Sequence, residues 1–292
     1  MRKKQSTATY YKNPALQESI IRYYKEKKLN FVVKHSNYNT QIIGTESTLK
    51  FIQTEHPTRV FIAYNKIVKD LKESPKTVEI LQGEWSTANF DSRNGLKPAF
   101  YKKILNLDIS SAYPYCLWIN KLITQDTFNY LMNMPKTERL PAIGMIAKKS
   151  VWITYTGGKA EEWELKEGFY TNIFFYVIQQ ITDLMAWAAE IAGDSFLFYW
   201  VDGIFLKPTI SKKKLKEITG IFAEQGYYFK YEKVENCNIV RDGDKLLINM
   251  IKNGEEKPYQ MYDKNLARNF TKVLQALENG QQDPLHLPGT TT

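Results

Sequence analysis

Two aspartates are set in places where a carboxylate is expensive. Asp108 comes near the close of the apolar run Ile104–Ile109 (ILNLDI), and Asp202 interrupts the hydrophobic stretch Ser195–Leu206 (SFLFYWVDGIFL). Burying such a group without a partner is costly. Two of them brought together repel, and one takes up a proton unless a cation lies between them. Divalent metals resolve that conflict. A pair of ions roughly 3.5–4 Å apart is the arrangement that serves in-line phosphoryl transfer, activating an attacking hydroxyl and steadying the leaving group. From hydropathy alone a plainer reading stays open, in which each acid caps a turn.

For the acids to meet, ILNLDI must be a strand and SFLFYWVDGIFL a hairpin pivoting at Asp202–Gly203. Between them, Thr124–Met134 and Glu138–Lys149 read as two helices broken at Pro135. Val151–Tyr155 reads as a strand before Gly157–Gly158. Phe169–Ile191 is the longest helical pattern; it is apolar around its circumference, as a buried helix is, and Gly193 stops it. Downstream come an amphipathic helix (Leu215–Gln225), strands at Tyr227–Glu232 and Lys245–Met250, and a helix at Asn265–Leu277 ahead of a polar tail.

Residues 1–100 read as a separate N-terminal α/β region. It holds a helix over Asn13–Lys28, a buried strand at Arg59–Ala63, a helix through Val68 and Leu71, and a strand at Thr77–Leu81. The turn-rich segment Asn89–Pro98 marks its end. The fold class is therefore α+β: an antiparallel sheet with helices on one face.

The bulk numbers agree with a folded, nucleic-acid-facing protein. The chain has 292 residues, 43% hydrophobic and 14% aromatic, which excludes a disordered class. A net charge of +9 favours a polyanionic partner, and 19 Tyr and 15 Phe beside many lysines suit unpaired bases. No apolar run is long enough for a membrane span, and the basic start lacks a signal-peptide pattern. Cys116 and Cys237, the two cysteines, cannot build a thiolate zinc cage; the expected setting is a reducing cytoplasm. His35, His56 and His286 lie outside the acidic site, against a His-based nuclease, and no Walker-type phosphate loop is present.

The residues around the acids add a family resemblance. Asp108-Ile-Ser-Ser-Ala-Tyr-Pro114 resembles the first palm motif of family B DNA polymerases, Asp-x-x-Ser-Leu-Tyr-Pro, with Ala112 for leucine as the one departure. Phe198-Tyr-Trp-Val-Asp-Gly-Ile-Phe205 resembles that family's Tyr-x-Asp-Thr-Asp-Ser motif, with Asp202 at the second aspartate. There Phe198, Trp200, Val201 and Gly203 replace its tyrosine, first aspartate, threonine and serine. The motifs stand in the right order with the long helix between them, and Glu164–Phe175 is similar to the protein-primed phage branch. The fingers motif Lys-x-x-x-Asn-Ser-x-Tyr-Gly is matched best by Lys149-Ser-Val-Trp-Ile-Thr-Tyr-Thr-Gly157, in which Ile153 and Thr156 depart.

The resemblance implies a polymerase palm over residues 101–118 and 150–250, reduced fingers over 119–149, and a rudimentary thumb with a tail over 251–292. Residues 1–100 become an exonuclease-domain remnant or a template-binding module. Asp108 and Asp202 are then the catalytic pair, holding two Mg2+ or Mn2+ ions with the Ile109 carbonyl. Ser111 and Ala112 face the triphosphate, Tyr113 underlies the sugar and favours deoxynucleotides, and Lys149 (or Lys148) is the triphosphate cation. Phe229-Lys-Tyr-Glu232 followed by Asp244-Lys-Leu-Leu-Ile248 resembles the family stretch that ends in Lys-x-Tyr, so Lys245 touches the primer strand, although Leu247 replaces the tyrosine. The lysines at 212, 213, 214 and 216 read as a solvated helix face. Residues 1–100 contain no Asp-x-Glu, so no proofreading exonuclease is expected. The implied activity is template-directed DNA synthesis on a primer-template with dNTPs, in phage or mobile-element replication, with a terminal protein or processivity factor as a possible partner. The alternatives are a primase or terminal-transferase-like nucleotidyltransferase, and a catalytically inactive palm acting as a DNA-binding replication factor.

Overall fold

The computed structural model describes residues 6–11, 13–53, 55–73, 90–92, 98–242, 245–262 and 276–281. In chain order the elements begin with β1 (Ser6–Tyr11), α1 (Pro14–Glu26), β2 (Phe31–Ser36), β3 (Asn39–Ile43), β4 (Ser47–Ile52), α2 (Thr58–Glu73), β5 (Phe90–Ser92) and β6 (Ala99–Ile109). Then come α3 (Ala112–Ile119), α4 (Gln125–Met132), α5 (Lys136–Gly144), β7 (Lys149–Thr156), β8 (Lys159–Glu167) and α6 (Thr171–Ala192). The remainder are β9 (Phe196–Trp200), β10 (Gly203–Leu206), α7 (Lys212–Glu224), β11 (Phe229–Asp242), β12 (Lys245–Lys252) and β13 (Glu255–Tyr262). The fold is mixed α+β, with two sheets in two compact units.

The first unit takes residues 1–58, 147–171 and 265–292 and holds a six-stranded sheet in the order β1-β4-β3-β2-β7-β8. Asn13 caps α1 by accepting the Leu16 amide at 3.1 Å, and Pro14 follows at the first helical position. The Leu16, Ile20, Ile21 and Tyr24 face of α1 packs on Phe31, Val33, Ile42, Phe51, Ile153 and Tyr155. Phe31 stacks on Tyr155 at 4.2 Å between ring centres. Gly157 and Gly158 turn β7 into β8. A Cβ at Gly158, whose φ is +79°, would collide with the Lys25 carbonyl.

The second unit, residues 59–146 and 172–264, carries a seven-stranded sheet in the order β13-β12-β11-β6-β10-β9-β5. Leu107, Ile109, Ile204 and Leu206 on its central strands are buried. Phe222 of α7 packs against Phe229, which sits opposite Ile109, so α7 covers that face. Lys214 of α7 reaches the Ala192 carbonyl at the end of α6, and Tyr176 of α6 donates to Asn120 after α3, which joins these helices into one layer. By the strand alternation Asn106 and Asp108 point to the opposite face.

Two expected elements change. Arg59–Ala63 is not a strand; it is the start of α2, because Val60, Ala63, Ile67 and Leu71 bury a helical stripe while Phe61 and Ile62 are exposed. The second helix of the hairpin ends at Gly144 and a 3-10 turn, so Lys149 opens strand β7. The β-branched and aromatic run beyond it pairs with β2 from Phe31↔Tyr155 to Ser36↔Ser150.

The chain also divides between Thr58 and Arg59 rather than near residue 100. The reason is that α2 is tied to the α4–α5 hairpin: Asp70 accepts from the Thr124 amide and hydroxyl, both at 2.8 Å, and Arg59 pairs with Glu138. Strands β7 and β8 belong with the first unit, and β13 extends the second unit's sheet where a rudimentary thumb was expected. The expected strand at Thr77–Leu81, most of the turn before Pro98 and most of the Asn265–Leu277 helix lie outside the described residues.

Asp70 is buried and holds the first turn of α4 through two charge-assisted bonds. Asp70→Ala is expected to lower the stability of the chain by about 2 kcal/mol, read as a lower urea midpoint with an unchanged slope.

Candidate active site

Asp108 sits one residue before the end of β6, and β10 lies antiparallel beside it with Gly203 opposite Asp108. The Ile109 amide donates to the Asp202 carbonyl at 2.9 Å, so the two acidic positions are locked together by the backbone. The β9–β10 turn consists of Val201 and Asp202, with Trp200 facing Gly203. This corrects the expected pivot by one residue. Val201 adopts φ +55°, a conformation that a β-branched residue rarely takes. Gly203 is already in the strand, and its missing side chain has a different use. A Cβ there would lie 3.2 Å from Asn106 Oδ1 and 3.5 Å from Asp108 Oδ1.

Burial, and then the neighbouring charge of Asp202, push Asp108 up to about 6; Lys136 and Lys252 pull the other way. Burial raises Asp202 as well, again opposed by Lys136. Tyr113, pushed well above the usual phenol range by burial and by the charge of Asp202, stacks at 6.3 Å on Phe174 of α6. The acids therefore share a half-buried space with a phenol on one side and a lysine within electrostatic reach.

The basic groups come from α5. Pro135 starts that helix, and the spacing of Lys136 and Arg139 puts both on one face, a turn apart. Arg139 is almost fully buried and donates to Ser111 Oγ at 3.1 Å, with its Nε lacking a bond. Ser111 precedes α3 in the left-handed conformation, φ +56°, where its side chain caps nothing and is left to meet Arg139. Strained backbone on both chain segments that hold the acids is a recurring mark of functional sites.

No family model matches the chain, and no curated protein matches it. The site must stand on its own geometry.

A third acid lies close by. Glu232 of β11 is opposite Asn106; it accepts from Asn106 Nδ2 at 3.2 Å and pairs with Lys252 at 2.7 Å. Lys252 holds its carboxylate below the usual range, and its charge in turn raises Asp108. Asn106 is fully buried, and its Oδ1 has no hydrogen-bond partner. That oxygen and Asp108 Oδ1 both border the space that a side chain at position 203 would fill. Among the described residues no group of three or more His, Cys, Asp or Glu is gathered as a metal site. The donor set is nevertheless all oxygen, two carboxylates and an unsatisfied amide, as hard divalent cations require.

Of the residues expected from the sequence, Asp108, Ile109, Ser111, Ala112, Tyr113 and Asp202 fall in one cluster in the second unit. Ala112 is buried in the first turn of α3. Lys149 is in the first unit, ion-paired with Glu167 at 2.5 Å, and Lys148 precedes it near Tyr38. Lys245 opens β12, opposite Asp242 and Tyr262. Sequence reading missed Lys136, Arg139, Asn106 and Glu232. The first two were readable as an i, i+3 basic pair after a proline; the others depend on strand register.

Asp108 binds its proton more tightly folded than unfolded, from 3.8 to about 6. Its contribution to stability is therefore full below about pH 4 and is lost as pH rises through 6. Asp108→Asn is expected to gain stability over the wild type in EDTA at pH 7.5, on the order of 1–2 kcal/mol after solvent screening, and no advantage at pH 4, by thermal unfolding across pH. Val201→Gly relieves the left-handed turn and is expected to add about 1 kcal/mol, read by the same unfolding experiment.

Proposed function

We propose that this chain is a template-directed DNA polymerase of reduced form, adding deoxynucleotides to a 3′-hydroxyl through a palm built on β6, β9, β10 and β11. One observation carries the reading: the register that sets Asp108 beside the Val201–Asp202 turn and bonds Ile109 to Asp202. Two desolvated carboxylates that burden one another, held by backbone, are a pair whose charge a divalent cation relieves, which a turn cap is not. The likeness of Asp108–Pro114 to the first family B palm motif narrows the chemistry to nucleotidyl transfer.

Asp108 and Asp202 are the residues to hold Mg2+ or Mn2+, with Asn106 Oδ1 bordering the same space. Metals held there would supply Lewis-acid activation for a 3′-hydroxyl and charge neutralisation for a leaving pyrophosphate. Lys136 already lowers the proton affinity of both acids, favouring the ionised pair. Arg139, held at Ser111, offers a planar fork of donors beside the loop assigned to the triphosphate, and replaces Lys149 as the cation for it. Tyr113, stacked on Phe174 and within electrostatic reach of Asp202, is the residue to exclude a ribose 2′-hydroxyl.

Primer extension on a primed template tests the proposal. The wild type is expected to extend with Mg2+ or Mn2+, and Asp108→Ala or Asp202→Ala to lose at least 1,000-fold, on the order of a lost transition-state contact. Arg139→Ala is expected to raise the KM for dNTP about tenfold, roughly one charge-assisted bond. Activity that survives either aspartate change overturns the site. Incorporation that ignores a homopolymer template transfers the chain to the terminal-transferase class.

A further inference from the structure

The sheet of the first unit buries one face against α1 and presents another kind of surface on its opposite side. Along one row across the sheet the register reads Thr9, Lys50, Gln41, Lys34, Trp152, Glu164. Alternation puts these side chains on the face away from the core, since Phe51, Ile42, Val33 and Ile153, one position along each strand, are core residues. Lys34 Nζ and Lys166 Nζ lie 4.8 and 4.2 Å from the Trp152 ring centre, which confirms that they share its side. Lys148 stands just before β7 with its Nζ 6.0 Å from the Tyr38 ring. Tyr11 belongs to the same face as Thr9 and is 66% exposed, whereas Tyr10 turns inward onto Phe51.

The lysines crowd one another. Lys166 lowers the proton affinity of Lys34, and Lys34 and Lys50 lower that of Lys148, each beyond the effect of burial. Among the described residues the anions on that face are Glu164, paired with Lys166 at 3.0 Å, and Glu162 on the same edge strand. Four lysines against two edge glutamates leave positive charge concentrated over β4, β2 and the start of β7. Like charges held so close are relieved by a polyanion, and phosphates release counterions as they bind. A half-buried tryptophan and an exposed tyrosine among the lysines add what a duplex cannot use and an unpaired base can, a flat apolar surface.

We propose that this outer face is a binding platform for single-stranded nucleic acid, with Trp152 and Tyr11 stacking bases and Lys34, Lys50, Lys148 and Lys166 meeting the backbone. The platform is drawn from the first unit alone and does not depend on the chemistry assigned to Asp108 and Asp202. An acidic protein would satisfy the charge but would leave the rings unexplained.

Fluorescence anisotropy of the full-length chain with labelled oligo(dT) and oligo(U), in EDTA, tests this. Lys34→Ala/Lys50→Ala/Lys148→Ala is expected to weaken binding at least tenfold and to reduce the slope of log affinity against log salt by about 2, since each lost contact to a single strand removes about 0.7. Trp152→Leu is expected to weaken binding several-fold with the slope kept. A charge-matched control, Lys212→Ala/Lys213→Ala/Lys216→Ala on α7, is expected to bind as the wild type does. Thermal unfolding of each variant confirms that it is folded. Equal losses in the two lysine triples, unchanged affinity in Trp152→Leu, or tighter binding of duplex DNA of the same length overturns the proposal. Loss of primer extension alone leaves it standing, and loss of oligonucleotide binding alone leaves the polymerase reading standing.

Discussion

Two carboxylates of like charge held close together are a burden on a fold, and the second unit carries that burden through backbone geometry rather than side-chain partners. The bond from the Ile109 amide to the Asp202 carbonyl and the pairing of Gly203 with Asp108 fix both acids whether or not they are ionised. The β6–β10 pair sits between β11 and β9 in the sheet, with α7 packed over the face that carries Ile109. Moving either strand by one residue would exchange Asp108 for Leu107 or Ile109 and put the charge among the helices. The apolar positions on β6 and β10 therefore do more than stabilise the sheet; they decide which way the acids point.

Around that lock the smaller features become consistent. A β-branched residue in a left-handed turn and a serine in the same conformation are each unfavourable by about 1–3 kcal/mol. Both belong to the segments that carry the acids, so the surrounding packing must hold them. Gly203 follows the same logic: its small size is required by what faces it and not by its backbone angles, since the oxygens of Asn106 and Asp108 approach within contact distance of an added Cβ. A serine at that position would narrow the space that here stays open.

Legibility from the sequence tracked the range of the interaction that fixes each element. The helix capped by Asn13, the long α6 and the β9–β10 hairpin are set by local pattern and could be read directly. Asp108 and Asp202 were readable because an acid inside an apolar run is rare whatever surrounds it. Arg59–Ala63 failed because five apolar residues fit a strand or a helix, and the choice was made by contacts of α2 with residues more than fifty positions away. The division of the chain failed for the same reason: β7 joins the first unit through its pairing with β2, more than a hundred residues upstream.

The basic groups show the limit most clearly. Among the many lysines, composition could say that the chain favours polyanions, but not which cations meet which anion. Lys149 stands at the lysine of the resembled fingers motif, but it has a local partner in Glu167, while Ser111 receives an arginine from α5. An arginine almost fully buried, with one nitrogen lacking a bond, is a group that the protein keeps desolvated at a cost. Its burial lowers its proton affinity, and a carboxylate would have been the simplest way to relieve it. Its bonds run instead to a neutral serine hydroxyl beside the acids and to the Met132 thioether. That choice leaves the positive charge free to act on an anion that arrives from outside.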